Sequence, residues 1–235
     1  RSRGLGDVYK RQHIDPKPLG SASLAQVHRA TLKTGEDVAI KVQRPGVREI
    51  MAQDVSIMRS IAKAATKVIR TSQIVDLKGV VEELWDTFES ETDFLIEARN
   101  LAEFKRFSVR FKYMDCPTVY AELCTEHVVV MEYIDGISVS HPGQLIDAGY
   151  DLKEIGTKLV DNYATQILDD GFFHADPHPG NILIRGGQIV LIDLGMTGRL
   201  DQRTRAVLKE MIFAVAKQDS PALAAVSYTH LTLPT

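Results

Sequence analysis

Asp176 and Asn181 are separated by four residues in the stretch H-A-D-P-H-P-G-N, residues 174–181, and Asp193 follows an apolar run in an Asp-Leu-Gly sequence. The D-x-x-x-x-N spacing is that of a catalytic loop in which Asp orients or deprotonates a nucleophile and Asn holds magnesium. Magnesium prefers few protein oxygens completed by phosphate oxygens. Each match alone is common turn chemistry, but together, in this order, they predict magnesium-dependent phosphoryl transfer from ATP.

His174 and His178 raise zinc as an alternative for the same stretch. Two histidines at this spacing share a face only on a helix, and Pro177 and Pro179 argue against a helix there. We therefore expect magnesium and not zinc.

Lys41 is a charge in an otherwise apolar, alternating strand, and it needs a partner unless it extends to the sheet edge. Glu97 stands three residues after Phe94 and four before Leu101, so helical geometry places its carboxylate on an apolar face. An unpaired charge there is expensive, and we expect Lys41 and Glu97 to pair, an arrangement that can aim a lysine at nucleotide phosphates.

Glu91 and Asp93 precede Glu97 in the same helical pattern. Like charges at such spacing repel unless a cation lies between them. Two interpretations stay open, an acidic pair that holds a cation and a solvated acidic face.

The elements that must position these residues follow from periodicity. We predict an antiparallel hairpin of residues 24–32 and 37–43, helices over about 47–70 and 74–107, a strand pair over about 118–123 and 127–132, and a linker at 133–136. A mainly helical region follows, with one hairpin over 182–192 that turns at Gly186-Gly187. The second helix should bury a face marked by five residues, Leu77, Val80, Val81, Leu84 and Phe88. This order predicts an α+β protein in two lobes.

Composition agrees with a globular chain, since 44% of the residues are hydrophobic, 25% are charged and the net charge is −3. Nothing in it is typical of a nucleic-acid binder. Cys116 and Cys124 follow neither a metal nor a disulfide spacing, so we expect reduced thiols and a protein that faces the cytosol. The sequence contains no run of about 18 apolar residues, which is the length that a membrane-spanning helix needs.

Five stretches together resemble the UbiB family of atypical kinases, also called the ABC1 or ADCK family: residues 17–28, 38–46, 91–100, 173–181 and 193–195. The resemblance implies a protein-kinase-like fold with a strand-rich N-lobe carrying inserted helices and a mainly helical, truncated C-lobe. It implies the Lys41–Glu97 ion pair, Asp176 as the catalytic-loop acid, and Asn181 and Asp193 as magnesium ligands. Glu91 and Asp93 would be the family's additional acidic pair at the nucleotide.

By the same resemblance, an alanine-rich loop replaces the glycine-rich loop over the nucleotide and comprises Gly20, Ser21, Ala22 and Ser23. Glycine allows close backbone approach to phosphate, whereas Ala22 and Ser23 bring a Cβ into that space. Gly20 stands where the family often has alanine. Glu132 and Ile134, on either side of the start of the linker, complete the nucleotide-contacting candidates.

Both ends of the chain are expected to be adapter-derived. Residues 7–12 and 226–230 can be translated from opposite strands of the mosaic end of a sequencing transposon. We therefore exclude residues 1–12 and 226–235, and expect an N-lobe over 13–134 and a truncated C-lobe over 135–225. The family's K-x-G-Q motif and hydrophobic C-terminal helices would lie outside this fragment.

Taken together, the resemblance implies an ATP- and Mg²⁺-dependent phosphotransferase or ATPase that supports isoprenoid quinone biosynthesis or lipid homeostasis. Expected partners are nucleotide, a lipid or quinone precursor, a membrane surface and quinone-biosynthesis proteins, and not nucleic acid. We expect a cytoplasmic protein that associates with a membrane through segments absent from this fragment. Peptide substrates are not expected, because only residues 196–200 precede a helix capped by Asp201, without an A-P-E segment.

Two other classes stay open. A nucleotide-switched regulatory module of a quinone-biosynthesis complex, in effect a pseudokinase, is suggested by the restrictive loop at Ala22 and Ser23. The aminoglycoside or choline phosphotransferase group shares a similar catalytic loop, but residues 17–28 and 91–100 favour the UbiB family.

Overall fold

The computed structural model describes residues 11–21, 24–68, 77–221 and 224, so Ala22 and Ser23 and most of both terminal segments lie outside the described residues. The chain divides into two compact units, residues 1–110 with 116–135 and residues 111–115 with 136–235. The strands are β1 (Arg11–Ile14), β2 (Gly20–Ser21), β3 (Ala25–Leu32), β4 (Asp37–Gln43), β5 (Met114–Asp115), β6 (Val128–Glu132), β7 (Ile137–Ser138), β8 (Phe172–His174), β9 (Ile182–Arg185), β10 (Gln188–Leu191) and β11 (Thr197–Arg199). The helices are α1 (Val47–Val68), α2 (Leu77–Thr92), α3 (Phe94–Ser108), α4 (Pro142–Asp147), α5 (Leu152–Thr165) and α6 (Gln202–Ala216).

The first unit contains an antiparallel sheet in the order β1-β3-β4-β6, with β2 beside β3. The predicted hairpin of β3 and β4 is confirmed, and Gly35 takes the positive φ of 102° that its turn requires. One face of the sheet is a core whose members are all apolar and buried, Ala30, Leu32, Val38, Ile40, Leu123, Val128 and Val130. Lys41 alternates with Val38 and Ile40 and therefore lies on the other face.

The predicted helix over 74–107 is wrong in one respect, because the structure divides it into α2 and α3 at Asp93. Asp93 has φ −89° and ψ 93°, outside the helical region, and its side chain accepts a hydrogen bond from the amide of Leu95. The apolar period continues across this break, which is why periodicity alone missed it. A short polar side chain that competes for backbone hydrogen bonds ends one helix and caps the next.

The predicted buried face of α2 is only partly right. Val81 is buried and Phe88 is 6% exposed, but Val80 and Leu84 are 40% and 51% exposed. The helix packs against α1 through residues at four-residue spacing, so its buried stripe is rotated away from Val80 and Leu84. The α1–α2 cluster consists of Val55, Met58, Ala62, Leu77, Val81 and Trp85.

The predicted strand over 118–123 does not form. Val119 makes an isolated bridge to Met131, and a 3₁₀ turn follows at Ala121–Leu123. The turn brings Leu123 into the core beneath β6, where it is 5% exposed. The segment therefore buries Leu123 against the sheet through a turn, and it lacks the alternation of inward and outward side chains that a strand would have.

The second unit contains a four-stranded sheet in the order β5-β10-β9-β7 and a two-stranded sheet of β8 and β11. The predicted hairpin over 182–192 is confirmed, with positive φ at both Gly186 and Gly187, as a tight two-residue turn requires. The unit has more strand than a mainly helical region would have, because β7, β8 and β11 are too short for periodicity to detect. In the part of the chain that the structure describes, none of the helices combines the length and the apolarity needed to cross a membrane.

Candidate active site

Lys41 lies on the central strand β4, opposite Val27 of β3 and Val129 of β6. Its Nζ is 3.0 Å from Oε1 and 2.9 Å from Oε2 of Glu97 on α3, so the ammonium contacts both carboxylate oxygens. The side chains are 15% and 4% exposed, respectively. The pairing expected from the sequence is confirmed, and Lys41 does not simply extend to the sheet edge.

The start of α3 is fixed to the sheet, and this places Glu97. The amide of Phe94 donates to the carbonyl of Glu126 at 3.1 Å, and Nε2 of Gln43 donates to the carbonyl of Thr92 at 3.1 Å. The Phe94 ring centroid lies 5.5 Å from Nζ of Lys41, within range of a cation–π contact. Gln43 is two residues from Lys41 on the same strand face, so one strand carries both the lysine and a bond that holds the helix junction.

In the part of the chain that the structure describes, Asp93 caps the N-terminus of α3. Its Oδ1 accepts from the amide of Leu95 at 3.0 Å, and its Oδ2 is 3.8 Å from Nη2 of Arg99. Asp93 is therefore more than a solvated acidic residue, because it caps the helix that carries Glu97. The nucleotide-binding role of Glu91 and Asp93 stays a prediction.

The remaining nucleotide-contacting candidates of the first unit lie on its strands or next to them. Gly20 and Ser21 form β2, in register with Val27 and Gln26. Glu132 ends β6, and its Oε2 accepts from the amide of Thr118 at 3.1 Å. Ile134 is 7% exposed. Ala22 and Ser23 fall outside the described residues, and the role of the whole set stays a prediction.

Asp176 follows β8 in the second unit and is exposed. Its carbonyl accepts from the amide of His178 at 2.7 Å, which turns the chain towards the 3₁₀ turn Pro179–Asn181. The exposed carboxylate is in a position where an incoming hydroxyl or water can reach it. This is the accessibility that a catalytic-loop acid requires.

Asn181 and Asp193 lie at the same end of the β9–β10 hairpin. Ile182 pairs with Leu191, and the next residues continue the pairing, since the amide of Ile192 donates to the carbonyl of Asn181 at 3.0 Å. Oδ1 of Asp193 accepts from the amide of Gly195 at 2.9 Å, which orients the carboxylate. The hairpin thus places Asn181 and Asp193 at one end, and side-chain amide and carboxylate oxygens are hard donors of the kind that suit magnesium.

The two histidines of the catalytic stretch have different surroundings. His174 is 1% exposed, its Nδ1 is 3.3 Å from the carbonyl of Met196, and burial lowers the pKa of its imidazole. His178 is exposed, and its Nδ1 accepts from the amide of Gly180 at 3.0 Å. Among the described residues, no group of three or more His, Cys, Asp or Glu side chains is arranged to hold a metal ion.

Tyr163 on α5 has a buried hydroxyl that finds no hydrogen-bond partner among the described residues. Burial first, and the negative charge of Asp176 second, raise the pKa of this phenol well above its usual range. Tyr163 is thus neutral near Asp176 at any physiological pH, and it does not compete as a base.

Two buried amides of the second unit were not predicted from the sequence, Asn162 and Gln166, which are 2% and 3% exposed. Their four-residue spacing on one helix face is the signal that could have identified them, since amides at this spacing contact each other. Gln166 lies eight residues before His174, the first residue of the catalytic stretch.

The first unit holds a strand lysine bound by a helix glutamate. The second unit holds an exposed aspartate, Asp176, and carries Asn181 and Asp193 at one end of a hairpin. The Rio2 kinase from Chaetomium thermophilum, solved as an ADP/Mg²⁺–phosphoaspartate complex, matches with a TM-score of 0.50 at 13% identity, over 97% of this chain and 60% of that chain. Rv3197 from Mycobacterium tuberculosis, solved with erythromycin, matches with a TM-score of 0.71 at 25% identity, over 93% of this chain and 55% of that chain. The fold is protein-kinase-like.

Residues 5–227 match the model of the ABC1 atypical kinase-like domain, and the chain belongs to that family. It is 39% identical over 220 residues to a probable protein kinase UbiB of Pseudomonas fluorescens, and this covers 92% of the chain and 41% of the relative. It is 42% identical over 207 residues to an uncharacterised protein of Clostridium pasteurianum named for the hydrogenase 1 5′ region, over 88% of the chain and 39% of the relative. The chain therefore spans about two-fifths of the length of these relatives. The predicted family and fold class are confirmed.

Proposed function

We propose that this chain is the nucleotide-binding part of an atypical kinase of the UbiB type, which uses Mg²⁺ and transfers the terminal phosphoryl group of ATP or hydrolyses it. The observation that carries the proposal is the two-oxygen contact between Lys41 and Glu97. A lysine whose ammonium is bound by both oxygens of a carboxylate is held in one orientation, as binding of phosphate oxygens requires.

The residues of the second unit would divide the chemistry among them. Asp176 would accept the proton of the attacking hydroxyl or orient the attacking water, because its carboxylate is exposed. Asn181 and Asp193 would hold Mg²⁺ through their side-chain oxygens at the end of the hairpin. Bound magnesium would supply neutralisation of the negative charge on the phosphate oxygens.

We further propose that the longer protein supports isoprenoid quinone biosynthesis or lipid homeostasis at the cytoplasmic face of a membrane, with a lipid or quinone precursor as acceptor and quinone-biosynthesis proteins as partners. The likeness to proteins named probable protein kinase UbiB supports this proposal.

ATP turnover by the wild-type chain and by Asp176→Asn, with Mg²⁺, membranes and a polyprenyl phenol supplied, tests the proposal. We expect both proteins to bind ATP, and the variant to turn over at least about 100-fold more slowly, since loss of a positioned base costs about this much. Asp147→Asn, an exposed aspartate at the end of α4, is the matched control and should keep wild-type turnover.

Equal turnover by wild type and Asp176→Asn would overturn the catalytic proposal. Complementation of a strain that lacks the gene, with the full-length protein, separates the alternative. Full rescue by Asp176→Asn would favour a nucleotide-switched regulatory module, and absence of rescue would favour the enzyme.

A further inference from the structure

Two polar side chains and one main-chain amide of the second unit form one buried series of hydrogen bonds. Nε2 of Gln166 donates to Oδ1 of Asn162 at 2.6 Å, and Oε1 of Gln166 accepts from the amide of His174 at 3.1 Å. Asn162, Gln166 and His174 are 2%, 3% and 1% exposed. We call this series the amide network.

The direction of each bond in the amide network is fixed by chemistry. A main-chain amide can only donate, so the atom of Gln166 that faces His174 must be the carbonyl oxygen, and its NH₂ group must face Asn162. A buried amide left without partners is unfavourable, so the series favours a single arrangement. Gln166 also begins the π-helical turn Gln166–Asp170, an irregularity that alters the direction of side chains at the end of α5.

The other end of the network reaches the segment after Asp193. The carbonyl of Met196 accepts from Nδ1 of His174 at 3.3 Å and from the amide of Ala175 at 3.0 Å. His174 pairs with Thr197 in the β8–β11 ladder. His174 stands two residues before Asp176, and Met196 stands three after Asp193, so His174 joins the two segments that carry the proposed acid and metal ligand.

The lowered pKa of His174 agrees with this geometry. A neutral imidazole protonated at Nδ1 can donate to Met196, and its Nε2 then carries a lone pair, which has no partner among the described residues. The buried ring thus serves as a donor within the structure.

We propose that the amide network is a positioning device that sets the relation between Asp176 and Asp193, and that Gln166 is its central positioning residue. This inference rests on the proposed function, because it assumes that these two carboxylates act on one magnesium nucleotide. Gln166 touches neither substrate nor metal and acts through His174.

The test compares the full chain with Gln166→Met, which keeps the side-chain length but removes both the acceptor for His174 and the donor to Asn162. Two readouts do not depend on turnover: the affinity for Mn²⁺ in the presence of the non-hydrolysable analogue AMP-PNP, followed by electron paramagnetic resonance, and amide hydrogen exchange of residues 172–176. Gln144→Met, on the exposed surface of α4, is the matched control. ATP turnover is measured in parallel.

We expect Gln166→Met to weaken Mn²⁺ binding at least threefold and to speed exchange at residues 172–176 at least tenfold, while Gln144→Met changes neither. The KM for ATP should change less than twofold, and kcat should fall about tenfold, because the lysine site belongs to the first unit. Should Gln166→Met fail to fold, Asn162→Leu, which keeps the bond between Gln166 and His174, should change the same readouts in the same direction but less.

Unchanged Mn²⁺ affinity and unchanged exchange in the variant that folds would overturn the positioning role, whatever the turnover. Proportional loss of AMP-PNP binding and Mn²⁺ binding, together with a lower melting temperature, would also overturn it, because general destabilisation would then explain the result. If the wild type binds Mn²⁺ and AMP-PNP but turns over no ATP, the proposed function fails while the positioning role is still decided by the two readouts.

Discussion

The main-chain carbonyl of Asn181 accepts a hydrogen bond from the amide of Ile192 at 3.0 Å, one residue before Asp193. This bond continues the β9–β10 ladder past its last paired residues and brings two oxygen-bearing side chains to one end of a hairpin. Residues that are 12 positions apart in the chain become neighbours through the tight turn at Gly186-Gly187. The proposed metal ligands are thus set by the register of a hairpin.

Glu97→Gln should destabilise the protein, because it leaves the ammonium of Lys41 largely buried without its carboxylate. Breaking a buried pair costs about 3–5 kcal/mol, and we expect about 3 kcal/mol here, since the Lys41 side chain is 15% exposed. Urea unfolding measures the change. Glu154→Gln, which breaks the exposed pair between Glu154 and Lys158, is the control and should cost less than about 0.5 kcal/mol. Equal losses in the two variants would show that the Lys41–Glu97 pair does not stabilise the fold.

Two substitutions of Asp93 can distinguish a helix-capping role from a nucleotide-binding role. Asp93→Ala should lower the free energy of unfolding by about 1 kcal/mol, whereas Asp93→Asn keeps a side-chain acceptor and should stay close to wild type. If Asp93 only caps α3, Asp93→Asn also binds ATP as wild type does. A stable Asp93→Asn protein with weakened ATP binding would instead assign the lost charge to the nucleotide site.

Gly171→Ala should be among the most damaging glycine substitutions in the second unit. Gly171 has φ +68°, and an added Cβ would lie 2.4 Å from the main-chain oxygen of Leu200, which cannot easily give way. We expect a loss of about 3 kcal/mol, combining backbone strain with overpacking. Gly149→Ala is the matched control, because Gly149 has φ +84° with nothing within 4 Å of the added carbon, and should lose only about 1 kcal/mol. Similar melting temperatures for the two variants would contradict the collision.

His174 should make stability depend on pH. Burial lowers the pKa of His174 in the folded state below its ordinary value of 6.5, so below that pH the unfolded chain binds more protons than the folded one. The contribution of His174 to the free energy of unfolding is present above pH 6.5 and is lost as the pH falls towards the folded pKa. The slope of this free energy against pH is at most about 1.4 kcal/mol per pH unit.

Urea unfolding of wild type and His174→Asn between pH 7.5 and 5.0 measures this contribution as a difference, since the other titrating groups are common to both proteins. The free energy of unfolding of the wild type should fall more steeply below pH 6.5 than that of the variant. Parallel curves for the two proteins would show that the buried imidazole does not titrate in this way.

Local pattern was enough to predict the parts of the fold that depend on local chemistry. Alternation of Val38, Ala39, Ile40 and Lys41 predicted β4, and the pair Gly186-Gly187 predicted the β9–β10 turn, because strand period and turn residues act over a few positions. The Lys41–Glu97 pair followed from the cost of placing two charges on apolar faces.

Features that depend on tertiary contacts were not predicted from the sequence. Asp93 ends α2 although the apolar period continues from Phe88 to Phe94, and Leu123 leaves its predicted strand to fill the core under β6. The bond between Gln166 and His174 joins a helix to a strand, and no periodic pattern reports which amide a buried glutamine will meet. The Asp93 break was the most accessible of these, since an aspartate before Phe94 is a recognisable N-cap.

Calorimetric titration of ATP into the wild-type chain, with and without Mg²⁺, tests the central claim most directly. We predict that Mg²⁺ tightens ATP binding at least tenfold, and that Asp193→Asn loses most of this gain while it still binds ATP without the metal. Failure of the wild type to bind ATP at millimolar concentration, or an equal effect of Mg²⁺ on wild type and Asp193→Asn, would contradict the account.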